Sequence, residues 1–118
     1  MMGCVAGTYD ITADQGATFS FNLHWYDPDG TAKDITDYTA RMQVRQRYVS
    51  TSTVLSLVSP TDITLGGSSG SIVATASATT MAAIAAGDYL YDLEMVASNG
   101  IVTRLIKGSF TVRPEVTR

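Results

Sequence analysis

The sequence predicts an all-β fold, an antiparallel β-sandwich of seven or eight strands with one short helix. Three observations carry that reading. Apolar residues recur at every second position around Phe19, Tyr38 and Tyr89, the period of a strand with one buried face. Turn chemistry separates these runs at Asp27-Pro28-Asp29-Gly30, Ser59-Pro60-Thr61-Asp62 and Asn99-Gly100. Only the stretch from Ser77 to Gly87 has the Ala-rich character of a helix.

In chain order, Phe19, Phe21, Leu23 and Trp25 alternate with Ser20, Asn22, His24 and Tyr26, which marks the first strong strand. The following Asp-Pro-Asp-Gly combines a φ-fixing proline with a glycine that accepts positive φ, so the chain reverses there. A second strand runs from about Tyr38 to Arg47. It turns Tyr38, Ala40, Met42 and Val44 to one face and Thr39, Arg41, Gln43 and Arg45 to the other. Val54–Val58 and Ile63–Leu65 are shorter apolar runs on either side of the Ser-Pro-Thr-Asp turn, and Gly66–Gly70 reads as a flexible hairpin tip before a returning strand at Ser71–Ala76. Ser77 is placed to cap a helix of two or three turns, with Gly87 at its end. Tyr89, Tyr91, Leu93 and Met95 then alternate with Leu90, Asp92, Glu94 and Val96, ahead of the Asn-Gly hairpin signal. The last strand spans Ile101–Ile106 and resumes at Ser109–Val112, with Gly108 as the expected bulge and Pro114 as the stop. This spacing of strands and turns fits the immunoglobulin-like kind of sandwich, without the Cys…Trp…Cys framework of antibody domains.

At 118 residues the chain makes one domain, 1–118, whose ends at 1–7 and 113–118 are expected to be mobile or partner-bound. A single Cys4 excludes an internal disulfide. The net charge of −3 argues against a phosphate-backbone partner. No apolar run approaches the roughly 20 residues that span a bilayer, and the first residues lack the pattern of a secretion signal, so neither membrane nor export is expected. Charged residues make up only 16%, well below the usual share, which suits a surface made for close protein contact.

Candidate chemistry is sparse. Asp27, Asp29 and Asp34 lie within eight residues, yet the ligand pattern of a calcium loop is incomplete and a solvated turn accounts for them. Cys4 and His24 are too isolated to form a nucleophile pair, since no third group is placed to orient the base. Gly66–Gly70 lacks the Lys-Ser/Thr of a phosphate loop. No catalytic residue, metal or cofactor is therefore expected. Arg41, Arg45 and Arg47 are read as projecting from one strand face, either to bind a partner through bidentate contacts or to pair across the sheet with Asp92 and Glu94. Trp25, Tyr38, Tyr89 and Tyr91 fall on core faces, leaving Tyr26 exposed. Arg113 and Arg118 on the terminal segment complete the set of candidate partner-binding residues.

Three stretches share one resemblance: Tyr38-Thr39-Ala40-Arg41-Met42-Gln43-Val44-Arg45, Gly87-Asp88-Tyr89-Leu90-Tyr91-Asp92-Leu93-Glu94, and GIVTRLIKGSFTVRPEVTR from Gly100 to Arg118. Together they resemble the small immunoglobulin-like structural domains of tailed bacteriophages, among them the N-terminal domain of baseplate upper proteins. The resemblance implies a non-enzymatic virion component, made in the host cytoplasm and docked in several copies, or as a homo-oligomer, against other virion proteins. With no stalk or receptor-binding region after Arg118, the expected role is a tail, baseplate or tail-fibre adaptor. The alternatives are a head-decoration protein and, more remotely, a carbohydrate-binding module.

Overall fold

Alternation with one apolar face forces each strand to bury that face against another layer, and this chain does so with two sheets. The computed structural model describes residues 7–47 and 49–116, so Cys4 and Arg118 lie outside the described residues. In chain order the elements are β1 (Gly7–Thr8), β2 (Ile11–Asp14), β3 (Phe19–His24), β4 (Thr39–Arg45), β5 (Leu55–Val58), β6 (Ile63–Leu65), β7 (Ser71–Ala76), α1 (Ala78–Ala82), β8 (Gly87–Val96) and β9 (Val102–Arg113). The larger sheet has the order β1-β9-β8-β4-β5, with β2 also on β9, and it faces a three-stranded sheet β3-β7-β6. The fold is an immunoglobulin-like β-sandwich.

Between the layers lie Met42, Val44, Leu93, Met95, Phe110 and Val112 from the larger sheet and Ile63, Ile72 and Ala74 from the smaller one, all essentially inaccessible to solvent. Phe110 bridges the layers: its ring meets Phe19 edge-on at 5.4 Å and Tyr91 at 6.3 Å. Such aromatic pairs add about 0.5–1.5 kcal/mol each beyond their burial. Among the described residues no polar or charged residue is buried, so the core makes no demand on ion pairing. Ile35, in the long connection from β3 to β4, closes one end of the sandwich, while Met81 and Ile84 around α1 close the other.

Several details depart from the sequence expectation. The chain start is not antiparallel: β1 and β2 run parallel to successive parts of β9, joining Gly7 to Ile106 and Ile11 to Phe110. Strand pairing therefore reaches into both segments expected to be loose ends, at Gly7 and at Arg113. The bulge sits at Leu105, not Gly108, because Leu93 pairs with Ile106 while Glu94 pairs with Arg104. Gly108 has a different task. A Cβ there would lie 2.2 Å from the Tyr9 carbonyl oxygen, so only glycine lets the β1–β2 crossover lie on the strand. Tyr91 secures that crossover by donating its phenolic hydrogen bond to the Tyr9 carbonyl at 2.6 Å.

The helix is a single turn and a half, capped as expected by Ser77, whose hydroxyl accepts from the Thr80 N–H at 3.1 Å. It ends early, and Gly87 opens β8 instead of closing the helix. The Gly66–Gly70 stretch is a bonded 3₁₀ turn and not a free tip, since the Gly67 carbonyl accepts from Ile35 N–H at 3.0 Å. The Asp27–Thr31 and Ala97–Ile101 reversals share one hydrogen-bond pattern, each with its glycine, Gly30 or Gly100, at φ 90°.

Candidate functional site

The strands that carry the predicted arginines present the outer face of the larger sheet, and register decides who meets whom. One cross-strand row reads Val58, Arg41, Glu94, Arg104; the next reads Ser56, Gln43, Asp92, Lys107; a third joins Arg45, Leu90 and Ser109. Arg41 Nε lies 2.8 Å from Glu94 Oε1, and Arg104 Nε lies 3.2 Å from Asp92 Oδ2. Arg45 is folded onto its own sheet, donating to the Ser50 carbonyl at 2.7 Å and to Gln43 Oε1 at 2.9 Å. Gln43, Arg45, Asp92, Glu94 and Arg104 rim a shallow recess of about 270 Å³, from which Arg41 is absent.

Within that recess, partial burial pushes the Asp92 carboxyl above the usual aspartate range, and neighbouring Glu94 adds to the effect while Arg104 opposes it. Exposed ion pairs of this kind stabilise by only about 0–1 kcal/mol. Their arrangement matters more for orientation than for stability.

Beside the charged rows lies an apolar one. Thr39, Val96 and Val102 are aligned across the sheet. Val102 is 47% exposed, with Ile101 at 62% and Val58 at 45% also open to solvent. Strand phase already turns Val96 outward. What the sequence does not reveal is that Val58, some forty residues earlier, shares this face, because that depends on the order of strands in the sheet.

The predicted partner-binding residues are dispersed. Arg41 and Arg45 share this face as expected, but Arg47 lies in the bend after β4, where its N–H donates to Ser50 Oγ. The expected pairing with carboxylates holds for Arg41 and Glu94, whereas Asp92 is taken by Arg104 on β9. Tyr26 is 56% exposed, on the β3 side of the molecule, stacked on His24 with ring centroids 6.0 Å apart. Arg113 is held by Asp14 at 2.8 Å. Of the four aromatic residues assigned to the core, Tyr89 and Tyr91 are buried. Trp25 and Tyr38 are half-buried and pack edge-on, with Lys33 Nζ 5.0 Å from the indole centroid.

The aspartates near the Asp-Pro-Asp-Gly turn serve the backbone. Asp29 Oδ1 accepts from the Thr31 N–H and hydroxyl, and Asp34 Oδ1 accepts likewise from Thr36. Those hydrogen bonds hold both carboxyls below their ordinary range. Among the described residues, no three His, Cys, Asp or Glu side chains come together as a metal site.

No family model and no curated protein matches the chain. Among solved structures it is similar to CopC from Methylosinus trichosporium OB3b, with 13% identity over 92% of this chain and 90% of that one, at a TM-score of 0.46. It is also similar to a chain from photo-crosslinking work on multimeric cell-adhesive interactions of VGSC beta subunits, with 11% identity over 99% of both chains and a TM-score of 0.39. At these values neither likeness bears on function, and the fold assignment stands on the order and pairing of the strands.

Proposed function

We propose that this protein is a non-enzymatic structural component of a tailed-bacteriophage virion, an adaptor docked to the tail, baseplate or a tail fibre through the outer face of its larger sheet. The observation that carries the docking reading is the set of exposed aliphatic side chains Val58, Ile101 and Val102, with half-buried Val96 between them, beside the Arg41–Glu94 and Arg104–Asp92 pairs. An apolar patch with a charged border is the usual anatomy of a protein interface. The virion assignment is supported by the three stretches around Arg41, Tyr91 and Ile106 that resemble phage immunoglobulin-like domains. Repetition around a symmetry axis turns weak single contacts into firm attachment.

Mass spectrometry of purified virions tests the assignment. A few to a few dozen copies per particle support the tail, hundreds favour decoration of the head, and absence from the particle overturns the proposal. Val102→Asp, on the exposed row, is expected to lower incorporation into particles without unfolding the chain. A glycan-binding role is the competing reading, favoured by the exposed Tyr26 ring stacked on His24. A glycan-array signal lost in Tyr26→Ala would support it, and a blank array would remove it.

A further inference from the structure

The smaller sheet ends in a strand edge that has no partner among the described residues. Its order is β3-β7-β6, so among the described residues β3 is bonded on one side only. Trp25 N–H donates to the Gly70 carbonyl at 3.0 Å, in register with the β3–β7 ladder. Antiparallel alternation then directs the N–H and C=O groups of Phe19, Phe21 and Leu23 toward β7, and those of Ser20, Asn22 and His24 outward. The Phe-Ser-Phe-Asn-Leu-His strand contains no Lys, Arg, Asp, Glu or Pro, the residues that ordinarily block edge pairing.

Other edges of the sandwich are shorter or guarded. β6 has three residues and directly follows Asp62, β5 has four, and β2 has four and ends at Asp14, which is paired with Arg113. Beneath the β3 edge lies an open groove of about 260 Å³ whose walls include Tyr9, Ile11, Phe19 and Phe21. Tyr9 stacks on Phe21 at 5.7 Å there and remains 53% exposed, while Phe21 and Leu23 stay half-buried.

We propose that β3 pairs antiparallel with β3 of a second copy of this chain about a two-fold axis at Asn22, joining the two smaller sheets into one continuous sheet. The strand is complementary to its own reversed image. Asn22 meets Asn22 of the second copy, so their backbones exchange both hydrogen bonds and their amides can pair. Ser20 meets His24 of the second copy, a hydroxyl opposite an imidazole, with no like charges to repel. On the inner side Phe21 falls opposite Leu23 of the second copy, which covers both half-buried side chains over the groove. Such a contact uses the same patch twice and closes at two copies. It leaves the outer face of the larger sheet free and does not depend on the virion reading.

Sedimentation of the full chain over a concentration series tests the pairing. The wild type is expected to pass from monomer to dimer mass, and Asn22→Lys, an exposed change that puts two like charges at the axis, is expected to weaken association by at least about tenfold. Ser56→Lys on β5 serves as the control and is expected to change nothing. In a Cys4→Ser background, Asn22→Cys is expected to form a disulfide-linked dimer under mild oxidation, since hydrogen-bonded antiparallel pairs place their Cα atoms about 5.5 Å apart. A wild type that stays monomeric throughout, an Asn22→Lys chain that dimerises equally well, or an Asn22→Cys chain that resists cross-linking would each overturn the proposal. A virion copy number is read separately, so failure here leaves the adaptor reading standing.

Discussion

The outer sides of the two sheets are finished in different chemistry. On the larger sheet, Arg41, Arg45, Arg104 and Lys107 are interleaved with Asp92 and Glu94 beside the row that holds Val96 and Val102. On the smaller sheet the outward positions are Ser20, Asn22, His24, Thr64, Ser71, Val73 and Thr75, with no Asp, Glu, Lys or Arg among them. Charge pairs reward one orientation of one partner and weaken with salt. An uncharged edge offers backbone hydrogen bonds without that selection. The two surfaces share a core but little else, so each can be altered with the other as reference.

The change that breaks both at once is Phe110→Ala. Its ring is fully buried and links Phe19 of the smaller sheet to Tyr91 of the larger one, so truncation leaves a cavity between the layers. A loss of about 3–5 kcal/mol in urea denaturation is expected. Gly108→Ala strikes the larger sheet alone. The added methyl meets the Tyr9 carbonyl and must displace the β1–β2 crossover, at a cost of about 1–3 kcal/mol. Amide exchange should quicken across Gly7–Asp14 while Phe19–His24 keeps its protection; equal loss in both would show that the sheets do not respond separately. Tyr91→Phe probes the same crossover more gently, orphaning the Tyr9 carbonyl for about 1 kcal/mol. Burial, reinforced by Asp10, already pushes the Tyr91 phenol upward, so that hydrogen bond persists well into alkaline pH.

How far the sequence spoke for itself differs along the same lines. β3, β4, β7 and β8 were legible because each buries one face, and period two then fixes every inward residue, as with Ala40, Met42 and Val44. β1 and β2 were not. They are short, and parallel pairing to the far end of the chain leaves no local mark in sequence. The sequence points to Gly108 and not to Leu105 as the bulge, because a glycine in a strand signals either irregularity or close approach, and here the approach of Tyr9 is the cause. At the candidate site, strand phase set Arg41 and Arg45 outward, but partner choice required register. Arg104 reaches Asp92 from the opposite neighbour, a fact that no spacing along β4 contains.

The charged face can be measured by a double-mutant cycle on Arg41→Ala and Glu94→Ala. The pair is close but substantially solvated, so a coupling of about 0.2–1 kcal/mol is expected, falling as salt is raised. The corresponding cycle on Ser20 and Thr75, opposite each other on the smaller sheet, should show coupling that salt does not change. Equal salt dependence in the two cycles would remove the contrast.

The smallest effect has the sharpest sign. Asp92 is held above the usual aspartate range by partial burial first and by Glu94 second, so within the fold its proton is bound more tightly than in the unfolded chain. The group therefore favours the folded state in acid and subtracts stability as pH rises from the unfolded value through the raised one. Asn resembles the protonated form. Asp92→Asn is expected to be at least as stable as the wild type near neutral pH, by less than about 1 kcal/mol, with the advantage vanishing near about pH 3 where both chains carry a neutral side chain. A variant clearly weaker than the wild type at neutral pH would mean that the Arg104 pair outweighs burial. The face would then owe stability as well as orientation to its charges.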